Sequence, residues 1–389
     1  MSNTLTISDF AENIYRAKDT VAREMVGFIP SVLVNSDDVP VSINGNINSF
    51  TTAQPTVNTS ITPAMTIPAA DDATISQVTM TIGQTANVRY PMVGEVWTKL
   101  NNTIGAQKAL DDLIAQAIRA IVNSIESYVA TVAYKGSSRA VGTAGTTPFA
   151  SNHALIPQVH QILHDNGCPN DGQKSLVINS SAGTNLRNLS NIYKVNESGS
   201  AETLRRGVLL DIDGLMIRQS AGVVTHTKGA GTGYLINNAS TEAIGQTTLT
   251  LDTGTVNTTG IKAGDIITHA SDSANKYVVK TGLTATSGDI VINAPGLKIA
   301  AADNDAITVG NSYTANLAFH RNAIELAMRP PNDPPGGDAA LDKMVVKDSV
   351  SGLVFEVAIY RGYKMNMLDI TTYYDAKVWK PEFVATLIG

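Results

Sequence analysis

Cysteine is nearly missing from this sequence. Cys168 is the only one in 389 residues, so no intrachain disulfide can form. Charge is also scarce. Asp, Glu, Lys and Arg make up 16% of the chain, against about 25% in ordinary globular proteins; Asn, Thr, Ser, Ala and Gly take their place. Interface centres are depleted in charge, so a neutral polar surface of this kind points to extensive subunit contact, a texture shared with secreted β-proteins. There is no basic excess: the net charge is −6 and the isoelectric point is near 5.5, which gives no support to a nucleic-acid-binding surface. No apolar run approaches the ~20 residues of a membrane span. The opening MSNTLTISDF lacks the basic and apolar regions of a signal peptide, and the expectation is a soluble intracellular product.

What the sequence does contain is one long amphipathic stretch, Thr103 to Tyr134. Leu110, Leu113, Ile114, Ile118, Ile121 and Ile125, joined by Ala117, Val122, Tyr128, Val129 and Val132, recur at steps of three and four. That spacing predicts one apolar stripe on an α-helix. Asp111, Asp112, Gln116, Arg119, Asn123 and Glu126 fill the other face. Asn102 or Thr103 can cap the start, and Lys135-Gly136 stops the helix. At ~1.5 Å per residue it spans roughly 45–50 Å, long enough to serve as a beam under a sheet.

Around this beam the chain changes texture several times. Residues 5–27 read as a helix capped at Ser8-Asp9, followed by a short strand at Val32–Val34. From Asp37 to Ala73, Pro40, Pro55, Pro63 and Pro68 are scattered among Thr, Asn and Ser, which excludes helix. This segment has too little apolar surface to order itself, so it is either disordered or an arm ordered on a neighbour. Gln77–Ile82 alternates as a strand, and Asn87–Pro91 continues the return path to the helix. After Gly136 a Gly/Thr-rich loop is expected up to Pro148. A helix interrupted near Pro157 follows over His153–Leu163, then a buried strand at Lys174–Asn179. Ala182–Leu189 reads as a helical turn region, and Gly207–Gln219 as two strands about Asp213-Gly214. This is an α+β domain.

From Gly222 to Thr314 the sequence is Gly/Thr-rich with short strands between turns, the signature of a small antiparallel barrel or sandwich. Leu249 and Leu251, Ile290 and Ile292, and Ile307 and Val309 each fall on one strand face, giving the block a core of its own. At about 95 residues it is large enough to fold alone. The α+β pattern resumes at Leu317–Met328. Pro330–Gly337 is a connection, Leu353–Tyr360 and Met365–Tyr373 are strands, and a tail runs from Ala376–Trp379 to Gly389.

No catalytic arrangement emerges. His160 and His164, with His153, Asp165 and Cys168 nearby, match no standard zinc spacing, and exposed or hydrogen-bonded histidines explain them better. Gly229–Gly233 lacks the G-K-[ST] ending of a phosphate loop and precedes strand, so it reads as a flexible lead into the β block. Asp211–Gly214 places its glycine too early for a calcium loop and reads as a hairpin turn. Asp37-Asp38 and Asp71-Asp72 have no reason to oppose each other in a cleft. Arg205-Arg206, the strongest basic doublet, reads as a solvated face, with contact to a neighbour or to phosphate as the sharper alternative. No catalytic residue, cofactor or metal is expected.

The order of parts resembles the major capsid proteins of tailed phages, whose shared architecture is the Johnson fold. The likeness is carried by QVTMTIGQTANVRYPMV, by the helix through IESYVATVAY, and by KSLVINSSAGTNLRN, LAFHRNAIELAMRPP and GLVFEVAIYRGYKMNMLDI. The closer resemblance is to coat proteins of short-tailed enterobacterial phages, which carry an inserted β-barrel. It implies a helical arm over 1–36, an extended loop with flanking strands over 37–96 and a spine helix over 97–140. An axial domain over 141–221 and 317–350 would be interrupted by the barrel at 222–316, and peripheral strands would close the chain at 351–389. It also implies self-assembly as hexamers and pentamers into an icosahedral head around double-stranded DNA, without sequence-specific binding and without a membrane. Assembly would take place in the host cytoplasm with a scaffolding protein and a portal, and decoration proteins join some such shells. The alternatives are a β-rich surface or adhesion protein, and an enzyme with an unrecognised site.

Overall fold

The computed structural model describes residues 27–52, 57, 59, 61, 63, 65–67, 75–94, 106–189, 211–256, 258–347 and 352–389. The helix expected over 5–27 lies outside them except for its last residue. Asp71-Asp72 and Arg205-Arg206 lie wholly outside.

In chain order, β1 (Leu33–Ser36), β2 (Asn46–Thr52), β3 (Ile75–Thr81) and β4 (Gln84–Val93) precede the long helix α1 (Ala106–Lys135). Then come β5 (Arg139–Gly142), α2 (Leu155–Asp165), β6 (Lys174–Ile178), α3 (Ser180–Asn188), β7 (Met216–Gln219) and β8 (Thr225–His226). The β block holds β9 (Leu235–Ile236), β10 (Thr248–Asp252), β11 (Ile266–His269), β12 (Asp272–Thr281), β13 (Gly288–Ile292) and β14 (Ile307–Val309). The chain finishes with β15 (Tyr313–His320), β16 (Ile324–Arg329), β17 (Ala340–Lys347), β18 (Val354–Gly362), β19 (Met365–Val378) and β20 (Val384–Ile388). The class is α+β.

Helix α1 lies between two sheets. Ile114, Ile118, Ile121 and Ile125 are 0–3% exposed and share a core with Leu326, Phe355, Ile359 and Ile370. Burying each isoleucine contributes about 1.5–3 kcal/mol. Leu113, expected in the same stripe, is 37% exposed. At 3.6 residues per turn it sits roughly 120° from the stripe's centre, so a neighbouring position in sequence is not a neighbouring position on the buried face. Leu110 is part of α1, but its side chain is outside the described residues.

One sheet runs β1-β16-β19-β18-β17, with β4 pairing along β19 over ten residues from Gln84 to Val93. The segment after β3 therefore returns into the main body. The other sheet runs β7-β6-β15-β20-β5-β12 and continues into the β block. There the pairings β9-β10-β13-β12-β11-β14 form a ring, which closes where Leu235 bridges Ala306. Leu249, Leu251, Ile290, Ile292 and Ile307 fill the ring, and the half-buried Val309 packs against them.

Three further expectations need correction. The stretch expected as loop after Gly136 contains β5, which pairs in parallel with β20 and antiparallel with β12. Pro157 does not interrupt α2; as its third residue it falls in the first turn, where a missing N–H costs nothing. That helix ends in a Schellman turn, with Gly167 at φ +78° donating to His164 O and Cys168 donating to Leu163 O. The expected tail contains β20, whose five residues are all buried between β15 and β5. Strand β17 forms the sheet's outer edge beside β18.

Candidate functional site

The feature that stands apart from these cores is the β2–β3 hairpin. Residues 39–70 carry no charged side chain, and neither does β3. Its root is firmly held. Asn44, at φ +64°, donates its amide to Ile82 O, and Ile82 N donates to Gly45 O. Met80 and Ile82 are buried in the body. Lys377 Nζ donates to Thr79 O, and Gly83 N donates to Asp375.

Beyond the root, the two strands are joined by polar rungs. Thr81 Oγ1 donates to Asn46 Oδ1 at 2.9 Å and Thr79 Oγ1 to Asn48 Oδ1 at 3.3 Å. Further out on the same face each rung carries one large apolar side chain. Phe50 pairs with Gln77 and Thr52 with Ile75, so Phe50 and Ile75 are diagonal neighbours on one face. They are 73% and 67% exposed. Val57, Ile61, Met65 and Ile67 are exposed as well. The hairpin thus presents large apolar side chains to solvent, with no charged residue in either of its strands.

Beside the root, a cleft of about 730 Å³ is lined by Asn87 and Arg89 of β4, Lys343 of β17, Glu356 and Tyr360 of β18 and Asp369 of β19. Burial pushes the Glu356 carboxyl above its ordinary value, against the pull of Lys343 at 3.4 Å. Burial alone would lower the Lys343 ammonium, but Asp333 and Glu356 outweigh it and hold the pKa above the ordinary value. Burial and the bond to Asp338 both raise Tyr360. The polar groups here are occupied with each other, as in a structural network.

The residues weighed for chemistry are scattered or already engaged. His160 contacts Asp213 at 3.0 Å and the buried Lys174 at 2.8 Å, while Asp165 pairs with Lys298. Burial pushes the Cys168 thiol up to about 11, away from a reactive thiolate. Asp213 and Gly214, both at positive φ, form the expected turn. Gly229 donates its amide to the buried Asp265 of the same chain. Among the described residues no group of three or more His, Cys, Asp or Glu side chains could hold a metal, and no helix is long and apolar enough to cross a membrane.

The sequence matches no protein-family model and no curated protein. Solved structures do resemble it. The capsid structure of cyanophage P-SCSP1u is 10% identical, with 93% of this chain and 88% of that chain covered and a TM-score of 0.48. The mature capsid of bacteriophage PhiM1 is 11% identical, with coverage of 94% and 87% and a TM-score of 0.46. A chain from Mycobacterium phage Che8 is 13% identical, with coverage of 88% and 84% and a TM-score of 0.46. These likenesses are at low identity, and the functional reading rests on this chain's own residues.

Proposed function

We propose that this chain is a major capsid protein of a tailed bacteriophage, in the Johnson fold, with residues 222–316 as an inserted β-barrel domain. The observation that carries the reading is the β2–β3 arm: it is rooted in the body by Met80 and Ile82, yet holds Phe50 and Ile75 out in solvent. An arm of this kind gains its cover from a second subunit, and repetition of one such contact builds a closed assembly. The spine helix with its buried isoleucines makes the body stiff enough to serve as a plate. The low charge content suits broad contact between plates, and the acidic balance avoids holding packaged DNA tightly.

On this reading the subunits form hexamers and pentamers of an icosahedral head around double-stranded DNA, assembled in the host cytoplasm with a scaffolding protein and a portal. The kinship is with coat proteins of short-tailed enterobacterial phages. The role is structural, with no catalysis. The test is electron microscopy of the expressed protein, alone and together with the products of its neighbouring genes. Closed shells are expected. A strictly monomeric protein under all these conditions would sink the proposal.

A further inference from the structure

The long helix, the strand leading into the β block and the strand leading out of it meet at one buried point. Tyr134, in the last turn of α1, places its hydroxyl 3.2 Å from His226 Nδ1. His226 is in β8, just before the first ring strand β9, and its Nε2 lies 2.7 Å from Oδ1 of Asp265, which immediately precedes β11. With His226 neutral, Tyr134 O–H donates to Nδ1 and Nε2–H donates to Asp265, which satisfies every polar atom of the three side chains. Asp265 accepts further bonds from the amides of Gly229 at 3.0 Å and Lys262 at 2.7 Å. Tyr313, the first residue of β15 after the last ring strand β14, packs its ring 5.2 Å from that of His226 and donates to Gly264 O at 2.7 Å. None of Tyr134, His226, Asp265 and Tyr313 is more than 6% exposed.

The loop 262–265 is moulded to the helix. Gly264 has φ +93°, and a Cβ there would stand 2.6 Å from the Tyr134 ring. A second contact reinforces the first. The last carbonyls of an α-helix have no partner within it. Here Asn293, at the end of β13 and 2% exposed, donates to Lys135 O and Ser137 O at 2.8 Å each. The block therefore caps the long helix. Immediately afterwards β5 pairs with β12, and Lys276 Nζ donates to Gly142 O.

We infer that Tyr134, His226, Asp265 and Asn293 form a latch that makes the β block and the end of the long helix one cooperative unit. The block's size alone would let it fold and move independently; the latch ties its opening to that of the last helical turn. The coupling is reciprocal, so a partner that docks on the block acts on the helix, and strain in the helix acts on the block. This inference does not depend on the capsid reading.

The test is native-state hydrogen exchange on the full chain, using Ile290→Val as a perturbation placed in the block core. That substitution should speed exchange in the block roughly two- to tenfold. With the latch intact, amides 132–136 of the helix should speed up by the same factor. In an Asn293→Ala background the same substitution should affect the block alone. Tyr134→Phe, which keeps the ring and removes only the hydroxyl, is the milder second background and should also weaken the coupling. The inference is overturned if amides 132–136 ignore Ile290→Val in the otherwise unaltered chain. It is equally overturned if both backgrounds leave the shared response unchanged.

Discussion

Ser220 donates a 2.6 Å hydrogen bond to Glu126, a residue 94 positions earlier in the chain. The same carboxylate accepts the amides of Phe28 at 2.7 Å and Ile29 at 3.0 Å. Glu126 thus ties the chain before β1 and the chain after β7 to the middle of the long helix. Hydrogen bonds to a charged group contribute about 1.5–3 kcal/mol, and unpaired amides add to the loss. Glu126→Ala should destabilise the subunit by about 2–4 kcal/mol on this basis, as measured by urea unfolding. Glu126→Gln should lose less, since one oxygen still accepts. An Ala variant as stable as the parent would show these contacts to be incidental.

Ile121 is 2% exposed in the centre of the α1 stripe. In Ile121→Asp a carboxylate would sit there without a partner, at a cost of several kcal/mol. Insoluble or unassembled protein is expected in expression trials. Normal solubility and assembly would mean that this face of the helix tolerates water.

Phe50 and Ile75 separate assembly from stability. Both are largely exposed in the subunit, so Phe50→Asp combined with Ile75→Asp should change its stability by no more than about 0.5 kcal/mol per site. Shell formation should nevertheless fail, as read by electron microscopy and sedimentation. Loss of both thermal stability and assembly would instead place these residues in the subunit's own core.

Acid should loosen the β block first through Asp272 and Asp305. Burial would raise both carboxyls. The bonds from Tyr277 and Asn275 to Asp272, and from Ser271 and His269 to Asp305, outweigh it and leave both below the ordinary value. An unfolded Asp takes up its proton near pH 3.9, whereas the folded ones hold out to lower pH. Their contribution is therefore present above the unfolded value and lost as pH falls through the depressed folded one. Asp305→Asn should lower stability at neutral pH and flatten the acid limb of a stability–pH curve. An unaltered acid limb would assign the acid sensitivity to other groups.

Much of the fold is legible in the residues, for reasons that differ by element. The α1 stripe from Leu110 to Val132 persists over about six turns, and the alternation in Thr248–Asp252 matches its burial residue by residue. Both are local periodicities that survive any tertiary context. Strands β5, β17 and β20 were not legible, because pairing partners distant in sequence decide them. Arg139 alone pairs with Tyr277 on one side and Ala385 on the other. Pro157 fits within α2 because the helix starts at Leu155, two residues later than the periodicity suggests. The arm was legible as extended from its Pro and Thr content, but its root contacts through Lys377 and Asp375 were not. Glu126 read as a solvent-facing position; its partners at 28, 29 and 220 leave no local signal. The same holds for His226, Asp265 and Asn293.

The central position of β20 sets a timetable for synthesis. Residues 384–388 are made after both strands they pair with, yet they join β15 to β5 in the middle of a sheet. Until then Leu317 and Phe319 on one side and Ala140 on the other lack the strand that unites them, however complete the arm already is. Vectorial folding proceeds from the N-terminal side, so the arm emerges before this sheet can close. A nascent chain on a polysome therefore cannot complete this sheet until residues 384–388 have been made.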